Sequence, residues 1–177
     1  NGGTAIETVS AKDGDSISEL PSTVKEGYSF QGWFTGEGVS DTQFTNISIV
    51  SRDITLYAKW EVNQYTISFD SNGGTLVSEI KQDYTTTIMI PSEPTRDGYT
   101  FSGWYSDVSL TIEYVFSVMP AADNILYAKW SINQYTITFD SSEGSLVNSI
   151  TQDYGTSVLE PSKPSRDGYT FGGWYLD

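Results

Sequence analysis

The chain has 177 residues, and its 23 Asp and Glu against 9 Lys and Arg give a formal net charge of −14. Such an acidic balance excludes nucleic acid as a partner, because phosphate contacts rest on Lys/Arg and counterion release, and it argues equally against an anionic membrane surface. Cys and His are both absent, which removes disulfides, thiolate metal sites and every triad or zinc motif that needs an imidazole, and no run of about 18 apolar residues is present to cross a bilayer.

At the start of the chain, Asn1-Gly2-Gly3 corresponds to Asn72-Gly73-Gly74 farther on and is not a signal peptide. It falls in the middle of a repeating pattern, so the sequence is expected to be a piece of a longer chain whose export signals lie elsewhere. Gly27-Tyr28-Ser29-Phe30-Gln31-Gly32-Trp33-Phe34 follows, an aromatic-rich run entered through Glu26. It predicts a strand entered from a tight turn in which glycine takes positive φ without steric cost. Ile54-Thr55-Leu56-Tyr57-Ala58-Lys59-Trp60 is the next predicted strand and closes a first period, residues 1–60.

The second period, 61–130, carries the whole pattern. Gln64 to Asp70 alternates Tyr65, Ile67 and Phe69 with Thr66, Ser68 and Asp70, the two-residue period of a half-buried strand. Ser71-Asn72-Gly73-Gly74 is a turn signal. Thr75 to Tyr84, with Leu76, Ile80 and Tyr84 on one side, predicts a second strand that completes an antiparallel hairpin. Two prolines between Pro91 and Asp97 remove ladder donors and leave room for a single helical turn or an extended crossover. Gly98 to Tyr105 repeats the aromatic run, and Ile125 to Trp130 is the fourth strand.

The third period, 131–177, repeats this order through Gly168 to Tyr175 and stops before a fourth strand. Gly27, Gly98 and Gly168 stand 71 and 70 residues apart. No segment keeps a helical period, so the expected fold class is mainly β, α+β at most, built as tandem small domains of about 70 residues. The joining segments from Trp60 to Tyr65 and from Trp130 to Tyr135 contain no Gly/Pro/Ser tract. Neighbouring units are therefore expected to keep a restricted orientation, as a semi-rigid rod.

Domains of this size fold alone only with an efficient core when no disulfide or metal helps. Tyr65, Phe69, Tyr99, Phe101, Trp104 and Trp130 are the candidate core, since each large aromatic can bury on the order of 150–250 Å². Tyr105, Tyr114 and Tyr175 lie where strands run into loops and are the candidate ligand-contact aromatics, on which a sugar could stack. No catalytic, cofactor-binding or metal-ligating residues are expected. The Asp70 to Gly74 loop lacks the alternating acids and distal Glu of a calcium loop, and the carboxylates are scattered rather than paired. Lys59 and Lys129 point away from the apolar face of their strands with no acid beside them for an isopeptide bond. Arg96-Asp97 and Arg166-Asp167 read as local turn contacts.

The combination of GYTFSGWY (98–105), YTISFDSNGG (65–74) and LYAKW (126–130) closely resembles the Listeria–Bacteroides repeat, the family that includes the B repeats of the listerial internalins, across essentially the whole chain. The resemblance implies a β-grasp-like fold, with a sheet packed on a short helix or helical turn between Pro91 and Asp97. It also implies an extracellular setting at a bacterial cell surface or cell wall. The expected function is a non-catalytic spacer or stalk with weak adhesive protein contacts, and the alternative is a carbohydrate-binding module using exposed aromatics. Expected partners are neighbouring domains of a parent surface protein and a host or cell-surface protein or glycan, without nucleic acid or membrane insertion. The first period lacks its first strand and the third its last, so their open edges are expected to pair between molecules, or the end units to be poorly ordered.

Overall fold

The computed structural model describes residues 2–38 and 41–176; of the positions discussed above, Asn1 lies outside them. Among the described residues there are nine strands and no helix, so the chain is mainly β. Two compact units divide it, one made of Asn1–Phe69, Ser78–Pro91 and Val115–Leu126, the other of Asp70–Val77, Ser92–Tyr114 and Tyr127–Asp177.

In the first unit, β1 (Tyr28–Phe34) pairs antiparallel with β2 (Gln43–Phe44) and with β3 (Tyr57–Val62), in the order β2-β1-β3. After a single intervening residue, β4 (Gln64–Asp70) forms the predicted hairpin with β5 (Ile80–Asp83), with Gln64 opposite Asp83 and Ile67 opposite Ile80. The segment 85–88 is tied to 117–119 by backbone hydrogen bonds, Thr85 N to Met119 O and Ile88 N to Ser117 O among them. These pairings close over Ile67, Ile88, Met119 and Leu126, all buried. The interior of this unit is therefore largely aliphatic, with Phe44 also buried and Trp33 and Trp60 half-buried.

In the second unit, β6 (Tyr99–Tyr105) pairs antiparallel with β7 (Asn124–Ile132), and β8 (Gln134–Ile137) with β9 (Ile150–Asp153). The hydrogen-bonded order around β7 is β5-β4-β7-β6. Asn72 Nδ2 donates to the Ala128 carbonyl in this unit, as Thr66 N does to Asp123 Oδ1 in the first. Trp104 and Ala128 face each other across β6 and β7 and are both buried.

Each aromatic strand carries a bulge. The register between β1 and β3 shifts between Phe30 and Gly32, and that between β6 and β7 between Phe101 and Trp104. Period-two alternation would send residues three apart to opposite faces; one extra residue restores them to the same face. Phe30 and Trp33 accordingly meet edge to face at 5.4 Å, as do Phe101 and Trp104. Gly32 and Gly103 sit in the bulges at φ of 115° and 112°, a region closed to residues with a Cβ.

Four sequence expectations need correction. The second strand runs only over Ile80–Asp83, not from Thr75, and Leu76 is 98% exposed. Its two-sided pattern was too weak to hold the chain in the ladder before Ile80. In the first period the last strand begins at Tyr57, leaving Ile54 to Leu56 outside it. Pro91 to Asp97 contains no helical turn, the element the resemblance implies, and ends in an Arg96–Tyr99 bridge; the other reading, an extended crossover, stays open. Gly168 to Tyr175 forms no strand. In the second copy the same run becomes β6 by pairing with the Tyr-Ala-Lys-Trp strand, and the sequence contains no third Tyr-Ala-Lys-Trp.

Candidate functional site

The turn that opens each aromatic run is the smallest recurring piece. Gly27, Gly98 and Gly168 adopt φ of 75°, 75° and 78°. The residue two before each glycine is cationic and lies over the tyrosine that follows it. Lys25 Nζ stands 3.9 Å from the Tyr28 ring centroid, Arg96 Cζ 3.9 Å from Tyr99 and Arg166 Cζ 4.1 Å from Tyr169. Arg96 also donates to the Asn72 carbonyl and Arg166 to that of Ser142. These arginines thus clamp the hairpin loop of their own copy rather than pairing with the adjacent aspartate. Such partly exposed cation–π contacts contribute about 0.5–1 kcal/mol.

The turn is also half of a joint to the next copy. Asn63 N donates to Gly27 O at 2.9 Å, and Tyr84 N to Asn63 O at 2.9 Å. Ser29 Oγ donates to Asn63 Oδ1 at 2.6 Å. The Tyr84 ring lies directly on Gly27, where an added Cβ would come within 2.0 Å of it. It meets Tyr28 edge to face at 6.0 Å and Tyr65 at 6.3 Å. The second unit repeats this one period later. Asn133 N donates to Gly98 O, Tyr154 N to Asn133 O and Thr100 Oγ1 to Asn133 Oδ1. Tyr154 lies on Gly98, 1.8 Å from a hypothetical Cβ, and meets Tyr99 at 6.5 Å and Tyr135 at 6.3 Å. In the sequence Tyr84 reads as the end of a strand and Tyr154 is not singled out; their recurrence after Gln-Asp, one period apart, is the signal that marks them.

The candidate core residues occupy two environments. Trp104 is 4% exposed, while Tyr65, Phe69, Tyr99, Phe101 and Trp130 are half-buried. Trp130 meets Phe101 at 5.5 Å, and its Nε1 donates to the Ser71 carbonyl at 2.9 Å. Phe69 stacks with Phe116 at 6.4 Å.

The three candidate ligand-contact aromatics differ from one another. Tyr105 is half-buried with Lys129 Nζ 4.5 Å from its ring centroid. Tyr114 is half-buried, and burial pushes its phenol above the usual range. Tyr175 is 85% exposed and donates to Gly172 O. Lys59 Nζ likewise lies 4.2 Å from the Phe34 ring centroid. Asp107, not singled out in the sequence, organises the loop after β6. Its carboxylate accepts from Ile112 N at 2.7 Å and from the N and Oγ1 of Thr111. The Ile112 amide, foremost among these donors, holds its pKa below the usual value.

The third copy carries a groove of about 820 Å³, lined among others by Ile137, Phe139, Ser141, Gly144, Phe171 and Trp174. Phe171 and Trp174 keep the edge-to-face contact of the other copies, at 5.1 Å, and Phe139 meets Trp174 at 4.9 Å. Among the described residues there is no group of three or more His, Cys, Asp or Glu placed to hold a metal ion, and no helix long and apolar enough to cross a membrane.

Comparison with known proteins fits this architecture. The profile of the Listeria-Bacteroides repeat domain matches residues 1–59, 65–129 and 135–177. A protein of Evansella cellulosilytica whose name describes a membrane protein is 42% identical over 178 aligned residues, covering 100% of this chain. A second protein of that organism, named as a Gly-rich membrane protein, is 40% identical over the same share. Internalin H of Listeria monocytogenes is 32% identical over 88% of the chain. The chain spans 27%, 21% and 30% of the length of these three relatives.

Proposed function

The chain belongs to the Listeria-Bacteroides repeat family, and from that premise we propose that it is a non-catalytic, semi-rigid spacer within a larger bacterial surface protein. Its working units are the periods 1–60, lacking its first strand, 61–130, complete, and 131–177, lacking its last strand, each on a β-grasp-like plan with recurrent aromatics (Tyr65, Phe69, Tyr99, Phe101, Trp104 and Trp130 in the second) as its core. The setting is extracellular, on the cell surface or wall, and the immediate partners are neighbouring domains of the same protein. The small share of each relative that the chain covers supports that setting.

The observation that carries this reading is the joint. A linker of few residues is closed by two backbone hydrogen bonds and a tyrosine seated on a glycine, and the arrangement occurs twice with the same partners. Each backbone bond contributes about 1 kcal/mol net and each aromatic pair about 0.5–1.5 kcal/mol. Such a joint restricts rotation in a way that a Gly/Ser tether would not.

Paired spin labels on either side of the Gly27–Tyr84 joint test the proposal. A narrow distance distribution that broadens in Tyr84→Ala is expected. A distribution already as broad as a flexible tether in the unsubstituted chain would overturn it. Weak adhesive contacts with a host or cell-surface protein would ride on this scaffold, and the acidic surface would keep like neighbours apart.

A further inference from the structure

We propose that the tyrosines meeting at each joint form an oxidative cross-linking site, where Tyr28 couples to Tyr84 and Tyr99 to Tyr154 as dityrosine. The inference rests on the spacer reading, and it adds a covalent lock to a joint otherwise held by hydrogen bonds and ring contacts. The chain has 12 tyrosines and no cysteine. A disulfide therefore cannot staple these residues, and phenol coupling is the oxidative bond that their side chains offer in its place.

Each site is a triad with Tyr84 or Tyr154 at its centre. Tyr84 meets Tyr28 at 6.0 Å and 88° and Tyr65 at 6.3 Å and 76°. Tyr154 meets Tyr99 at 6.5 Å and 73° and Tyr135 at 6.3 Å and 62°. An edge-to-face pair sets the rim of one ring against the other, and the carbons that couple lie on that rim, next to the hydroxyl. Both central rings rest on their glycine through the same atoms, Cγ, Cδ1 and Cε1, so the two sites are seated alike. The turn tyrosine is held in addition by a cation, with Lys25 3.9 Å from the Tyr28 centroid and Arg96 3.9 Å from that of Tyr99. That pinning favours Tyr28 and Tyr99 as partners over Tyr65 and its counterpart Tyr135, which is 56% exposed. Rings already in contact couple as an intramolecular step, and a net charge of −14 keeps separate chains apart.

The oxidant is hydrogen peroxide acting through a haem peroxidase. Each phenol gives up one electron and its hydroxyl proton. The two phenoxyl radicals then form one carbon–carbon bond between ring positions ortho to oxygen, and the hydrogens displaced there move to the oxygens. The pair loses two hydrogen atoms in all, and one peroxide becomes two waters.

Treating the whole 177-residue chain, kept dilute, with hydrogen peroxide and a haem peroxidase tests the proposal, read by dityrosine fluorescence and by the mass of cross-linked peptides. A monomer lighter by two hydrogens per bond is expected, with peptides joined at Tyr28–Tyr84 and at Tyr99–Tyr154. Tyr84→Phe keeps a ring on Gly27 without its phenol, so the first product should vanish and the second remain; Tyr154→Phe should do the reverse. Products that are chiefly intermolecular, or that run chiefly through Tyr169 and Tyr175, the most exposed tyrosines at 69% and 85%, would overturn the proposal. Coupling confined to Tyr65–Tyr84 and Tyr135–Tyr154 would place the bonds inside single hairpins and overturn it as well. Narrow spin-label distances without coupling would sink the cross-link and leave the spacer reading standing. Broad distances would sink the spacer reading whatever the coupling.

Discussion

At the scale of single residues, three glycines in one conformation make a controlled comparison. Gly168→Ala should cost only the backbone strain of its φ of +78°, roughly 1–2 kcal/mol, because nothing lies within 4 Å of the new Cβ. Gly98→Ala has the same backbone strain and also drives a methyl group into Tyr154. It should therefore cost at least about 1 kcal/mol more, by denaturant titration of the two variants. Asp107 offers a second test, by pH. Its folded carboxyl titrates below the ordinary 3.8 because the Ile112 and Thr111 donors favour the charged form. The stabilisation they give is present above that value and is lost as pH falls through the lower folded pKa. The Thr111 and Ile112 amide resonances should move in that acidic range, and Asp107→Asn should abolish the movement.

Among the strands, the bulge explains why the aromatic motif has the spacing it has. A phenylalanine and a tryptophan three residues apart can share one face only if an extra residue intervenes, and the glycine before each tryptophan supplies the dihedral for it. Gly103→Val should displace Trp104 from its place opposite Ala128, and the loss should approach that of Trp104→Ala, about 3–5 kcal/mol, measurable by thermal unfolding. The sequence made β4, β6 and β7 legible because alternation and aromatic content agree there. Leu76 and Val77 misled because apolar character without a partner strand does not define a ladder. The tandem turns were legible from their glycines, but the cations stacked on Tyr28, Tyr99 and Tyr169 were not, since that contact depends on the turn's three-dimensional closure. For the same reason Tyr84 looks like an ordinary strand end and Tyr154 draws no notice, although each seats on a glycine almost 60 residues away.

For the molecule as a whole, the joints decide whether three copies behave as one body or as three. Tyr154→Ala should leave the strands intact and accelerate hydrogen exchange at the Asn133 and Tyr154 amides, which close that joint, with little change at the β6–β7 ladder. Equal acceleration throughout would mean that the ring holds up the fold itself. The second period carries both a tyrosine for the preceding glycine and a glycine seat for the following tyrosine, and the contact is the same chemistry at both junctions. A gene that duplicates or deletes the second period therefore makes each new junction already matched. If the chain is a spacer, its reach can be tuned by recombination of that period, with no compensating substitution at the joints.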